Sequence, residues 1–367
     1  MKSKGLAILA AVTLVVLIAA IWSTLERGRR TAAAAAPGGL HPGLIDRVNE
    51  ISKIAIRTPR HGFTIQRAGE ADWRVPERGG YPVKFETVKQ AVVGIASMRI
   101  LEAKTAKAEL HPKLHLKAPE DGGKGTSMTL TDGQGNDLAA IVVGKTKVSP
   151  TTKEPGIHYV RKADQAQSWL AAGRVEAWET IDRWLDNEMP TIARQRVRAA
   201  TTSQPDGDAI TVARTDPDGR DFTVRDIPEG WKMLHATAGN ALGSALGFLS
   251  FEDVAPIEKI DFANPNMALF KTFDGLSLLV TMVERDSQFW LHFDAEFAAE
   301  DVQTEGLSEA QMKAMKSADE VRAEVDRING RFAPWAYRVA KYKADDFMTA
   351  RDALLMKDDG KGKDKGG

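Results

Sequence analysis

The chain has 367 residues, 43% of them hydrophobic and 27% charged, the balance of a folded protein with room for two or three domains. Fifty basic and fifty acidic side chains cancel, which argues against a nucleic-acid binder, whose surface needs a basic excess to neutralise phosphates. The absence of cysteine excludes disulfides, thiolate nucleophiles, iron–sulfur clusters and cysteine zinc sites, together with the lipid-bearing cysteine of a bacterial lipoprotein.

Gly5 to Trp22 is a run of eighteen residues without a charge, with Leu14 near its middle. As a helix it would extend roughly 27 Å, close to the hydrocarbon thickness of a bilayer. Trp22 suits the interface, and Lys2 and Lys4 precede the run like the basic start of a secretory signal. A cleaved signal would be processed at Ala32 to Ala36. Glu26, Arg27, Arg29 and Arg30 separate those alanines from the run, which favours an uncleaved anchor. The flanking charges are nearly balanced, and the short basic tail is expected to stay inside. The expectation is a single-pass protein of the bacterial inner membrane with its bulk in the periplasm.

Residues 1–30 are then the anchor and its flanks, 31–44 a tether of small residues, and 357–367 a disordered polar tail. Between them, short alternating strands and amphipathic helices predict an α+β class: one transmembrane helix, then a duplicated strand–helix–hairpin module with mostly antiparallel sheets. The first module takes residues 45–185 and the second 186–300, and residues 301–356 form a C-terminal helical segment. The repeat aligns Ile54-Ala55-Ile56, Phe63-Thr64-Ile65 and Trp73-Arg74-Val75 with Ile210-Thr211-Val212, Phe222-Thr223-Val224 and Trp231-Lys232-Met233. A helix follows each set, over Val88 to Met98 and over Ala238 to Leu249. Hairpins come next, around Asp132-Gly133 and Asp274-Gly275, where Asp-Gly between apolar alternations marks the turn. A generic α+β pattern without duplication is the alternative. Arg174 to Thr202 reads as helix and connector. Ser308 and Gln311 form a capping box whose helix should run to Asn329-Gly330, and a second amphipathic stretch covers Trp335 to Leu355.

Few residues suggest chemistry. Gly144-Lys145-Thr146 imitates the end of a phosphate-binding loop, but that loop needs another glycine five residues earlier, where Ala139 stands. His111 and His115 have metal-ligand spacing, yet Pro112 interrupts the helix such a pair requires. His292, Asp294 and Glu296 alternate along a strand and share one face; they are weak metal candidates beside the commoner reading of a solvated face. Gly239, Gly243 and Gly247 strip one helix edge of side chains, for tight packing within the domain or as a groove for a partner helix. Trp335, Tyr337 and Tyr342 are candidates for an exposed contact, whereas the matched Trp73 and Trp231 read as core. No catalytic residue and no cofactor are expected.

The order of these segments resembles a bacterial family labelled domain-of-unknown-function family 4340. The resemblance rests on the apolar N-terminal run, Trp73-Arg74-Val75, the strand Ile141 to Gly144, Tyr159-Val160-Arg161 and Trp184-Leu185-Asp186. It departs at Leu110-His111-Pro112, where the family has a Gly-Leu-x-x-Pro-like turn. It implies an extracytoplasmic, non-catalytic accessory subunit of an ABC-type transport or cell-envelope complex. Its expected partners are the bilayer and ABC-transporter or gliding-type auxiliary membrane proteins, with no nucleic acid. A periplasmic module binding a glycan, lipid or peptide is the alternative, and a metal-dependent hydrolase the third.

Overall fold

The computed structural model describes residues 38–147, 156–175 and 180–358. The chain divides into two compact units, with the boundary between Leu185 and Asp186. In the first, the elements run β1 (Ile51–Arg57), β2 (Gly62–Arg67), β3 (Trp73–Val75), β4 (Tyr81–Pro82), α1 (Phe85–Ala96), β5 (Arg99–Ala103), β6 (Thr126–Asp132), β7 (Asp137–Lys147), β8 (Ile157–Lys162) and β9 (Ser168–Ala172). The strands form one sheet in the order β4-β3-β2-β1-β6-β7-β8-β9-β5. Alternation does the work locally: Ile54 and Ile56 of β1 and Phe63 and Ile65 of β2 all point into the core. In α1 the buried residues Val88, Ala91, Val92 and Ile95 make a stripe at helical spacing. That helix approaches the chain after β9 so closely that a Cβ on Gly94 would meet the Arg174 carbonyl at 1.8 Å.

The second unit runs β10 (Val197–Ser203), β11 (Ala209–Ala213), β12 (Thr223–Val224), β13 (Trp231–Met233), α2 (Asn240–Gly243), β14 (Asp253–Pro256), β15 (Asn266–Thr272), β16 (Leu276–Arg285) and β17 (Gln288–Phe297). It continues with α3 (Glu309–Ala314), α4 (Ala318–Phe332), β18 (Trp335–Val339), α5 (Lys341–Phe347), α6 (Arg351–Leu354) and β19 (Leu355–Lys357). Its main sheet is ordered β12-β11-β10-β15-β16-β17-β18-β14, which repeats the first unit strand for strand apart from β4. Even an irregularity repeats. The β1–β6 register shifts between Ile51 and Lys53, and the β10–β15 register shifts between Val197 and Ala199. In place of a fourth outer strand, β13 leaves the sheet and pairs with β19.

The equivalence displaces the repeat read from sequence by one strand. Ile54-Ala55-Ile56 corresponds to β10, not to Ile210-Thr211-Val212, and Phe63-Thr64-Ile65 corresponds to β11. Trp231 lies outside the main sheet and is half-buried, while Trp73 is in the core.

The α+β expectation is corrected: antiparallel strands dominate both units and helices are few. Arg174 to Thr202 holds no α-helix among its described residues, and its end is strand β10, which small Ala and Thr side chains had disguised. Ala238 to Leu249 is a single helical turn followed by a 3-10 turn, Ala245–Phe248. The helix opened by the Ser308–Gln311 capping box stops at Ala314, and a second box, Ser317 with Glu320, starts α4. Trp335 to Leu355 begins as a core strand. The expectation of a single-pass inner-membrane protein with its bulk in the periplasm does not stand either. Among the described residues no helix is long and apolar enough to cross a membrane. The segment on which that expectation rested, with Gly5, Leu14 and Trp22, lies outside the described residues, as does the tail from 359 onward.

Candidate functional site

In the second unit, the chain between α2 and β14 carries alternating fates. Leu246 and Phe251 are buried, but Phe248 between them is 84% exposed, a large apolar side chain given to solvent. The 3-10 turn ends at Phe248: Ala245 and Leu246 at its start are buried, and Phe248 at its last position is not. Gly247 beside it faces open space, where an added Cβ would meet nothing within 4 Å. The neighbouring element is α5. Its Tyr342 is 66% exposed, and Ala344 and Phe347 hold the opposite face of the helix in the core. Lysines border the tyrosine. Lys343 Nζ lies 5.6 Å from the Tyr342 ring centre, and Lys341, bonded to Asp345 at 2.6 Å, lies 5.6 Å from that of Phe289. Phe248 and Tyr342 are thus exposed aromatics on neighbouring elements, and the helix of Tyr342 carries Lys341 and Lys343 together with Asp345 and Asp346.

The other two glycines of the spaced set serve the interior. A Cβ on Gly239 would come within 2.6 Å of the Phe222 carbonyl, and one on Gly243 within 2.4 Å of the Phe222 ring. The groove that this spacing offers a partner helix is filled by the chain's own Phe222. Arg194 and Arg214 stack on that ring, their guanidinium carbons 5.1 and 4.7 Å from its centre. Burial among apolar atoms, with Arg194 as a second cation beside it, lowers the Arg214 pKa to about 10.

Tyr337 is fully buried, in an aromatic cluster with Phe251 (5.2 Å), Phe293 (5.8 Å) and Phe332 (6.2 Å), so it is core rather than contact surface. Trp335 is half-buried at the head of β18. His292, Asp294 and Glu296 do share a face of β17, but both histidine nitrogens are engaged. Nε2 pairs with Asp294 at 2.9 Å, and Nδ1 lies 3.2 Å from the Trp335 carbonyl. Among the described residues no three His, Asp or Glu side chains are grouped so as to hold a metal ion. Gly144 sits where a Cβ would come within 2.3 Å of the Leu114 carbonyl, so its need is close backbone approach, not a phosphate loop. His111 Nε2 donates to the Ala166 carbonyl at 2.9 Å.

A family model described as a domain of unknown function (DUF4340) matches residues 73–265, more than half of the chain. The chain belongs to the DUF4340 family. Neither a curated protein nor a solved structure matches it. The DUF4340 span runs from β3 into the loop before β15, so it takes in Phe248 and the three spaced glycines but not Tyr342. Sequence reasoning named Tyr342 and Gly247 and missed Phe248, which lies inside the helix expected over Ala238 to Leu249. The signal available was Ser250, which with Gly247 leaves too little helix-forming character around Phe248 to sustain a helix.

Proposed function

We propose that this chain is a non-catalytic accessory module that binds a protein partner through the Phe248–Tyr342 surface of its second unit. The supporting observation is the 84% exposure of Phe248 on an element that neighbours the helix carrying the exposed Tyr342, since contiguous exposed apolar surface marks interaction sites. Aromatic anchors dominate binding energy at interfaces, and charged side chains of both signs at their rim fix the register of the partner. A subunit of an ABC-type transport or cell-envelope assembly is the first class of partner to test. A photo-crosslinking residue at position 248 should trap one partner in cells, and Phe248→Ala with Tyr342→Ala should abolish the adduct of a crosslinker placed at Lys343. Adducts spread over many unrelated proteins, or unchanged in the double variant, would reject the reading.

A ligand-binding module is the second reading. It is favoured by a cavity of about 490 Å³ beside α1, floored by Val93, Gly94 and Gly173. A saturable thermal shift with lipid, glycan or peptide fractions, retained in the Phe248→Ala/Tyr342→Ala protein, would support it over the first.

A further inference from the structure

The first unit holds a second arrangement that partner docking does not use. Arg161, at the end of β8, is only 8% exposed. Its Nε donates to the Leu116 carbonyl at 2.7 Å, and Nη1 to the carbonyls of Lys162 at 3.1 Å and Ala163 at 2.8 Å. Its hydrogen-bond partners among the described residues are all backbone carbonyls, and none of these bonds uses Nη2. A buried guanidinium ordinarily finds a carboxylate. Here burial instead lowers its pKa, with Asp121 and Glu120 opposing that effect from a distance.

Arg161 lines an open cavity of about 370 Å³ together with His111, Lys117, Asp121 and Asp164. That volume lies within the range of small-ligand sites. Two cations and two carboxylates share this wall, so its formal charge is balanced. A simple anion would meet Asp121 and Asp164, and a simple cation would meet Arg161 and Lys117. A solute carrying both charges satisfies all four. The geometry points to this cavity as a binding site for a small zwitterion of amino-acid or dipeptide type. Its carboxylate takes the free Nη2 edge of Arg161 and Lys117, and its ammonium group faces Asp121 and Asp164. The Arg161 guanidinium is held by its carbonyl bonds before the ligand arrives, which lowers the ordering cost of binding.

Isothermal titration of the full chain with alanyl-alanine tests this. Saturable binding is expected, with N-acetyl-alanyl-alanine and alanyl-alanine amide each weaker by about tenfold, the worth of one charge-assisted hydrogen bond. The exposed side chains Lys117 and Asp164 supply the variants, because Arg161 also holds the loop together. Lys117→Ala and Asp164→Asn should each weaken alanyl-alanine by a similar factor without moving the urea midpoint. Absence of binding would overturn the inference, as would equal affinity for the capped forms or a response to inorganic phosphate as strong as to the dipeptide.

Discussion

The two units share a strand order and a register irregularity, yet they pair their interior charges and close their sheet edges in different ways. In the first, Arg161 gathers carbonyl oxygens. In the second, Arg214 does the same, with Nε on the Val197 carbonyl (2.9 Å) and Nη1 on that of Gly219 (3.0 Å), but a half-buried Arg196 also lies between two carboxylates, bonded twice to Asp274 (2.9 and 3.1 Å) and twice to Glu324 (3.0 and 2.9 Å). The outer edge of β5 is covered by the chain's own residues, through Leu40 N–H to the Met98 carbonyl (2.8 Å) and Ile100 N–H to the Gly38 carbonyl (3.1 Å). The equivalent strand β14 is protected chemically instead. Pro256 has no N–H, and the Val254 N–H is given to Asp253 Oδ1 at 2.9 Å. A duplicated sheet therefore fixes topology and leaves charge burial and edge protection free to diverge. The inserted elements carry that divergence: α3 and α4 stand between β17 and β18, where the first unit has a short turn between β8 and β9.

This contrast can be broken most forcefully at Arg196. Arg196→Ala leaves the buried Asp274 without a cation and Glu324 with Lys316 alone, at a cost of about 3 kcal/mol. The second unit should then unfold at lower urea while the first keeps its midpoint, as followed by hydrogen exchange of β16 and β7. A single shifted transition for both units would show that they are not independent.

Acid sharpens the comparison. Burial, helped by the nearby Lys162 and opposed by Asp164, lowers the His41 pKa to about 4. Its folded value lies below the unfolded one, so its contribution to stability is complete above the unfolded value of about 6.5. It fades as pH falls toward 4, by on the order of 2 kcal/mol. In the second unit, burial works against the charged forms of Asp274 and Glu324, but hydrogen bonds from Arg196 and their other partners outweigh it and hold both carboxyls below their ordinary range. Their contribution persists through pH 5 and is lost only as pH falls through those lowered values. The first unit should thus loosen first in an acid titration, and His41→Gln should flatten its profile between pH 6.5 and 4. The reverse order of unfolding would contradict this reading.

The smallest test separates glycines by role. Gly243→Ala pushes a methyl into the Phe222 ring and should cost about 1–3 kcal/mol. Gly247→Ala meets nothing and should change stability by less than about 1 kcal/mol in either direction. Thermal melts of both variants decide it.

Much of the sheet was legible. Asp132 accepts the Gln134 and Asn136 amides at the turn between β6 and β7, and Asp274-Gly275 turns between β15 and β16, both where Asp-Gly marks a hairpin. The register of the repeat was not, because β10 offers Ala and Thr where a strand signal needs large β-branched residues. Tyr337 misled for a related reason. Trp335, Tyr337 and Val339 alternate as a strand, but the following amphipathic stretch invites a helix across them. The exposure of Phe248 was hidden for the opposite reason: Gly247 and Ser250 weaken the helix there, but the apolar run around them still suggests one, and the chain takes a 3-10 turn instead.

One side chain in the insertion has mechanical meaning. Pairing between β17 and β18 covers Phe289 to Leu291, and beyond it Asn329 of α4 takes over, its amide accepting from the Ala295 N–H and donating to the Ala295 carbonyl, both at 2.8 Å. A single carboxamide thus impersonates a neighbouring strand. Sliding α4 by one helical turn would orphan two backbone groups at once, so the helix is locked in register with the strand beneath it.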